Sequence, residues 1–426
     1  MLLGFFRLIG KIFFREIVIE GRENLPKSGP LILASNHPND LLDPLLTLFF
    51  SPPFRLRHIA KATLFQVPLV GFILRRMRSI PVLRHKEAQG PIDYTSFFNE
   101  CVEAHREGDA IVIFPEGGSS ETSFIGPLKT GAARLHFLAR EQGIDVPIIP
   151  MGINYEEGSI FRSSVLLLVA QPVDCSRFEA LHASDPTAAI QALTAEIHRV
   201  LSDHVFQAET FQDRELIILL ERVYFESQQG HDWAERYRRL GEFKPRVTEL
   251  RHCCRPEMAL LRRLVARYRR LSRIADTRTG KTPSTLRTSI LSAAGSLFAY
   301  TGWLFNWIPY RLVQWLVWRR RRPRNDIATM TITWSLVAFP LAYLAQGLLI
   351  GQWLGWEAGL LFGVGIMPFS YLALRYFEWR ETLGIRPSYP SALFRGRWSH
   401  RTSRRLQRLR EQITREVEGF PAAPLK

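Results

Sequence analysis

The chain has 426 residues, enough for one α/β domain of ordinary size and a second unit. Its formal net charge of +16 accompanies 46% hydrophobic and 12% aromatic residues, a mixture that suits an anionic membrane surface. With long apolar segments and no zinc-ligand spacing, helix-turn-helix pattern or RNA-recognition signature, that balance argues for a phospholipid membrane as partner and against nucleic acid. The four cysteines, Cys101, Cys175, Cys253 and Cys254, have no paired spacing of a metal or redox motif and read as reduced thiols of a cytoplasm-facing domain.

In chain order, residues 1–15 are apolar but interrupted by Arg7, Lys11 and Arg15, which recur every four residues. That interruption excludes a spanning helix and a signal-peptide core, and predicts an interfacial anchor helix; a buried first helix of the following domain is the alternative. Over residues 16–183 short β-branched runs alternate with helical stretches, which predicts an α/β domain. Residues 31–34 read as a strand that delivers Asn36-His37, residues 40–50 as the next helix, and residues 110–114 as a strand ending at Pro115-Glu116-Gly117. Further strands are expected at 148–153 and 165–170. Sites of open α/β sheets gather outside the carboxyl ends of strands, so His37 and Glu116 are expected in one crevice.

Residues 184–285 predict a basic helical extension with dense arginine, read as solvated helix faces with some headgroup contact. Within 286–325, Tyr300, Trp303 and Trp307 accompany Asn306 and Pro309, and the segment reads as interfacial or re-entrant. Residues 326–375 form a candidate transmembrane hairpin of two apolar stretches, 327–350 and 353–374, each long enough to cross a bilayer. The hairpin turn carries only Glu357, whereas basic residues from Arg319 to Arg324 precede the pair and Arg375 and Arg380 follow it. The positive-inside tendency then predicts a multi-pass membrane protein whose α/β domain faces the cytoplasm. Residues 376–426 are a basic cytoplasmic tail in which 395–418 predict an amphipathic helix with Leu406, Leu409, Ile413 and Val417 on one side.

Chemistry concentrates in two segments, Asn36-His37-Pro38-Asn39-Asp40-Leu41-Leu42-Asp43 and Phe114-Pro115-Glu116-Gly117-Gly118-Ser119-Ser120. A histidine with a nearby carboxylate can take a proton from a substrate hydroxyl while the carboxylate fixes the ring tautomer and supports the imidazolium. Asp40 and Asp43 both stand within reach for that role. In the second segment Gly117 and Gly118 allow close backbone approach, Ser119 adds a hydroxyl, and Glu116 can accept from a polyol. His37, Asp40 and Asp43 are also a donor set for a cation, which gives a rival reading as a metal-dependent hydrolase.

The two segments resemble the first and third sequence blocks of the glycerolipid acyltransferase family. Residues 71–84, from Gly71-Phe72-Ile73 through Ser79-Ile80-Pro81-Val82-Leu83-Arg84, look like its second block, and residues 146–153 like its fourth. The resemblance covers roughly residues 12–175. Five residues separate His37 from Asp43, where the family usually has four. That gap and the Phe-Pro-Glu-Gly-Gly-Ser block are similar to a subgroup that includes fungal glycerol-3-phosphate/dihydroxyacetone-phosphate acyltransferases, which favours Asp43 over Asp40.

The resemblance implies an α/β fold with an acyltransferase-like mixed sheet flanked by helices, here with a helical extension and a C-terminal transmembrane hairpin. It implies a membrane-bound O-acyltransferase that moves a fatty acyl group from acyl-CoA or acyl carrier protein to glycerol 3-phosphate or 1-acylglycerol 3-phosphate. Dihydroxyacetone phosphate or another lysophospholipid or polar lipid is the alternative acceptor. His37 would be the general base and Asp43 its orienting partner. Glu116, Gly117, Gly118 and Ser119 would line the acceptor site, and Arg84 would bind its phosphate, with Lys61 and Lys129 as further candidates. Neither a cofactor nor a metal is implied.

Overall fold

The computed structural model describes residues 2–51, 53–83, 91–119, 123–158, 160–225, 233–272, 286–319, 324–382 and 399–418. It comprises two compact units, one of Met1–Phe211 with Pro323–Thr329, the other of Gln212–Arg322 with Met330–Lys426.

The first unit is built on seven strands: β1 (Glu16–Glu20), β2 (Ile32–Ser35), β3 (Leu56–Lys61), β4 (Ile80–Val82), β5 (Ala110–Ile113), β6 (Ile148–Tyr155) and β7 (Ser164–Val169). Their order is β1-β7-β6-β2-β5-β3-β4. The β6–β7 pair is antiparallel and the other neighbours are parallel, so the sheet is mixed, as expected. Central β2 is buried at every position between β5 and β6, which is why it reads as a continuous apolar run rather than an alternating one. Helices α4 (Thr95–Arg106), α5 (Gly131–Glu141) and α7 (Pro186–Asp203) pack with β2, β5 and β6 into one hydrophobic cluster.

Two boundaries differ from the sequence reading. Residues 184–211 belong to the sheet unit and not to the basic extension, because α7 buries Ala189, Leu193, Ile197 and Leu201 in this core. The N-terminal helix α1 (Leu2–Phe13) packs on this unit at its carboxyl end and leaves apolar side chains exposed nearer its start. Gly10 meets α2 (Leu42–Thr47) so closely that a Cβ there would lie 2.8 Å from Leu45, and Phe13 is buried, while Phe5 and Leu8 are exposed. The guanidinium of Arg162 closes the end of this helix by donating to the carbonyls of Lys11 (2.9 Å), Ile12 (2.9 Å) and Phe14 (2.5 Å).

The second unit contains α8 (Phe211–Tyr224, from its second residue), α9 (Trp233–Cys253), α10 (Arg255–Ser272) and the C-terminal helix Ser399–Glu418. The apolar stripe of the C-terminal helix, Leu406, Leu409, Ile413 and Val417, is buried, and the helix packs against α10. The amphipathic pattern is therefore used for packing within this unit and not on a lipid surface. Several arginines of the extension are likewise internal counter-ions: Arg251 and Arg262 flank buried Asp213, and Arg236 and Arg239 flank buried Glu221.

Three long helices follow: α11 (Leu286–Trp318), α12 (Arg324–Leu354) and α13 (Trp356–Thr382). The interruption expected at Asn306 and Pro309 does not occur, and α11 runs through both. Asn306 is satisfied between helices: its amide donates to Ser370 Oγ (2.6 Å), and its Oδ1 accepts from the Tyr343 hydroxyl (2.6 Å). Residues Asn325–Leu354 and Trp356–Trp379 are long and apolar enough to cross a membrane by length and composition.

Candidate active site

The turn after β2 is pinned to β6 before any reactive group appears. Ser35 Oγ donates to Met151 O (2.8 Å), while the Asn36 amide donates to Ile153 O (3.1 Å) and accepts from Ile153 N (2.7 Å). His37 is thus held at the carboxyl end of the central strand. Its ring stacks on Phe114, with centroids 4.2 Å apart and planes 18° from parallel. Nδ1 lies 2.7 Å from Asp43 Oδ2. That contact with a carboxylate assigns the proton to Nδ1 and leaves the lone pair on Nε2, in a side chain that is one-tenth exposed.

Asp43 stands in the first turn of α2, fully buried. Besides His37, its Oδ2 accepts from Asn39 N (2.7 Å) and its Oδ1 from the Tyr155 hydroxyl (2.5 Å). Burial pushes the Asp43 carboxyl pKa up, against the opposing pull of His37, Tyr155 and the Asn39 amide. Burial and the neighbouring carboxylate raise the Tyr155 phenol well above its usual range, so it remains a donor.

Asp40 takes no part in this network. It is exposed and accepts from the Ser119 hydroxyl, which in turn accepts from the Asn325 amide (3.1 Å) in the first turn of α12. His37, Asp40 and Asp43 therefore do not converge as a ligand set. Among the described residues, no group of three or more His, Cys, Asp or Glu is arranged to hold a metal ion.

The two blocks meet through the backbone. Glu116 follows β5, and its Oε1 accepts from His37 N (2.9 Å), so this carboxylate grips the main chain that carries the histidine. Burial raises the Glu116 pKa, and hydrogen bonds from the His37 and Gly126 amides oppose the shift. Gly117 has φ 75°, a conformation that glycine adopts without penalty, and the Lys129 side chain lies across it, 2.5 Å from where a Cβ would stand. Gly118 and Ser119 continue the same loop, half-buried. Lys61 ends β3 at the same edge of the sheet, since β2, β3 and β5 are mutually parallel. Arg84 lies outside the described residues, two positions beyond the end of β4.

Sequence reasoning missed Tyr155 and Phe114. Tyr155 ends β6, two residues beyond the apolar block, and only the β2–β6 register, Ser35 opposite Met151, brings that strand end alongside the histidine turn. No spacing rule links residues 43 and 155.

Residues 16–154 match a family model described as Acyltransferase. A chloroplastic 1-acyl-sn-glycerol-3-phosphate acyltransferase, LPAT1 of Arabidopsis thaliana, is 30% identical over 175 residues, covering 39% of this chain and 46% of the relative. A 1-acyl-sn-glycerol-3-phosphate acyltransferase of Bacillus subtilis is 25% identical over 185 residues, covering 42% of this chain and 86% of that protein. Glycerol-3-phosphate O-acyltransferase 1 of Saccharomyces cerevisiae is 24% identical over 138 residues, covering 31% and 18%. The crystal structure of the 1-acyl-sn-glycerophosphate acyltransferase PlsC from Thermotoga maritima superposes with a TM-score of 0.36 at 22% identity, over 47% of this chain and 76% of that one. The match spans about half the length of the plant relatives.

Proposed function

We infer that this chain, which belongs to the glycerolipid acyltransferase family through residues 16–154, transfers a fatty acyl group from a thioester to a hydroxyl of a phosphorylated glycerol. The observation that carries the reading is the 2.7 Å contact of His37 Nδ1 with buried Asp43, which leaves Nε2 as the basic nitrogen. His37 Nε2 takes the acceptor hydroxyl proton as the oxygen attacks the thioester carbonyl carbon. A C–O bond forms and the carbonyl becomes a tetrahedral oxyanion. Its collapse breaks the C–S bond, and the departing thiolate takes the proton back from the imidazolium. Asp43 stays ionised throughout and stabilises the imidazolium between the two proton transfers.

Lys129, Lys61 and Arg84 are the candidate cations for the acceptor phosphate, with arginine suited to bidentate binding. Glu116 holds the His37 turn and lines the acceptor side. The names of the relatives favour glycerol 3-phosphate or its 1-acyl derivative as acceptor, and acyl-CoA or acyl carrier protein is the donor we propose. The test is acyl transfer by the purified protein in lipid, with labelled acyl donors and a panel of glycerol 3-phosphate, dihydroxyacetone phosphate, lysophosphatidate and neutral lysolipids. Transfer confined to phosphate-free acceptors, or full activity in His37→Ala, overturns the assignment.

The reading includes a membrane topology in which α12 and α13 cross the bilayer as a hairpin and the basic flanks and the site face the cytoplasm. In intact cells, with Cys253 and Cys254 replaced, Trp353→Cys is expected to react with an impermeant thiol reagent from outside. A cysteine at His400 is expected to stay protected; the reverse pattern excludes this orientation.

A further inference from the structure

β3 ends at Lys61, and the chain turns through Ala62–Gln66 into α3 (Pro68–Arg76). The inside of this helical hairpin is made of backbone. Gly71 presses so closely on Phe65 that a Cβ would lie 2.2 Å from the Phe65 carbonyl oxygen, and that oxygen also accepts from the Arg75 guanidinium (2.9 Å). The apolar side chains are left outside: Leu69 is 71% exposed and Phe72 62%, with Leu64, Val67 and Val70 exposed beside them. Single exposed apolar residues are ordinary, but five on one short hairpin form a patch.

The surroundings of the patch say what it fits. From Ala62 to Arg78 there is no acidic side chain, and Arg75 and Arg76 are exposed in the last turn of α3. An apolar surface whose own segment carries only positive charge is complementary to an anionic lipid leaflet, with hydrocarbon below and phosphate above. The hairpin also leaves the carboxyl end of β3, which by the parallel pairing of β2, β5 and β3 is the edge where His37 and Glu116 stand.

We propose that residues 62–76 insert into an anionic phospholipid leaflet, with Leu69 and Phe72 among the acyl chains and Arg75 and Arg76 at the headgroup phosphates, and so seat the catalytic edge of the sheet against the membrane. The proposal rests on the acyltransferase reading only for its purpose, bringing the site to amphiphilic substrates; the insertion itself is independent of it.

The test uses the full chain in vesicles of phosphatidylcholine and phosphatidylglycerol, with Cys253 and Cys254 replaced. Phe72→Cys and Leu69→Cys, each labelled with an environment-sensitive fluorophore, are expected to be quenched by spin-labelled lipid and several-fold less by aqueous iodide. Gln142→Cys, which follows α5 towards the amino end of β6 at the opposite edge of the sheet, is expected to give the reverse. Iodide quenching of residue 72 equal to that of residue 142 overturns the proposal. Shielding of residue 72 from both quenchers also overturns it, by placing a protein surface there. Neither readout requires catalytic activity, so failure of the functional assignment and failure of insertion are separable.

Discussion

Asp43 in the first unit and Asp213 in the second are both buried carboxylates, yet their surroundings differ in kind. Asp213 sits between the guanidinium groups of Arg251 and Arg262, and nearby Glu221 is held in the same way by Arg236 and Arg239. Asp43 has an imidazole, a phenol and a backbone amide. A guanidinium keeps its proton at any working pH, so its pair with a carboxylate is a fixed structural element. An imidazole becomes a counter-charge only after it has accepted a proton, so in the proposed reaction its pairing with Asp43 strengthens as the proton arrives. Stabilisation that grows along the reaction is what accelerates it. Asp109, clamped by Arg55 and Arg57 in the same unit as Asp43, shows that the contrast does not follow from location.

The sharpest way to break this contrast is to remove the proton acceptor. His37→Ala is expected to lower kcat for acyl transfer on the order of 10² to 10⁴-fold with its fractionation unchanged from the wild type, as assayed with labelled donor at matched expression. Next comes the pair of acids. Asp43→Asn is expected to lower kcat by about 10²-fold or more, and Asp40→Asn, which loses only a bond to Ser119, by no more than a few-fold. Inactivity of Asp40→Asn beside an active Asp43→Asn would transfer the orienting role to Asp40.

Stability should run opposite to activity. Burial raises the Asp43 carboxyl pKa, so the folded chain binds that proton more tightly than the unfolded chain does. The resulting cost is absent below the ordinary value of 3.8 and grows as pH rises through the folded value. Asp43→Asn is therefore expected to melt no lower than the wild type at pH 7 to 8, with any gain shrinking towards acid pH. Asp213→Asn should melt lower, since it strands two guanidiniums. Its cost should fall below the roughly 3–5 kcal/mol of a fully buried pair, because both arginines are about one-third exposed. Equal losses of stability in the two variants would erase the distinction.

Tyr155→Phe removes one neutral donor from Asp43. Roughly a tenfold fall in kcat with unchanged KM is expected, at the lower end of the 1.5 to 3 kcal/mol range for a hydrogen bond to a charged group. The Tyr155 bond holds the carboxyl pKa down, so the acid limb of the kcat profile should move to higher pH in the variant. An unmoved limb assigns Tyr155 to packing alone. The smallest change is expected of Lys129→Met, an approximately fivefold rise in KM for a phosphorylated acceptor with kcat retained, corresponding to about 1 kcal/mol for a flexible ammonium near solvent.

The parts legible in the sequence were those whose partners are close in the chain or whose burial is uniform. Strands β2, β5, β6 and β7 announce themselves as apolar runs. Strand β1 (Glu-Ile-Val-Ile-Glu) and strand β3 (Leu-Arg-His-Ile-Ala-Lys) do not, and β3 buries Arg57 and His58 only because Asp109 and Thr47 meet them. His37 and Asp43 could be paired by inspection, but Tyr155 is 112 residues from Asp43 and depends on strand register. The C-terminal helix and Asn306 teach the same lesson. A stripe or a polar residue reveals that it needs a partner, and only the fold says whether the partner is lipid, solvent or another helix.

The three bonds from Arg162 to the end of α1 also order events in time. Arg162 lies about 150 residues after the carbonyls it caps, and β1 pairs, among the described residues, with β7, which begins at Ser164. At a synthesis rate of about 5–20 residues per second, the ribosome takes on the order of ten seconds or longer to supply that partner. During this interval the end of α1 lacks the Arg162 guanidinium and β1 lacks β7. Helix α1 and strand β1 are thus synthesised well before the partners that secure them, which places them among the last parts of this unit to be locked together.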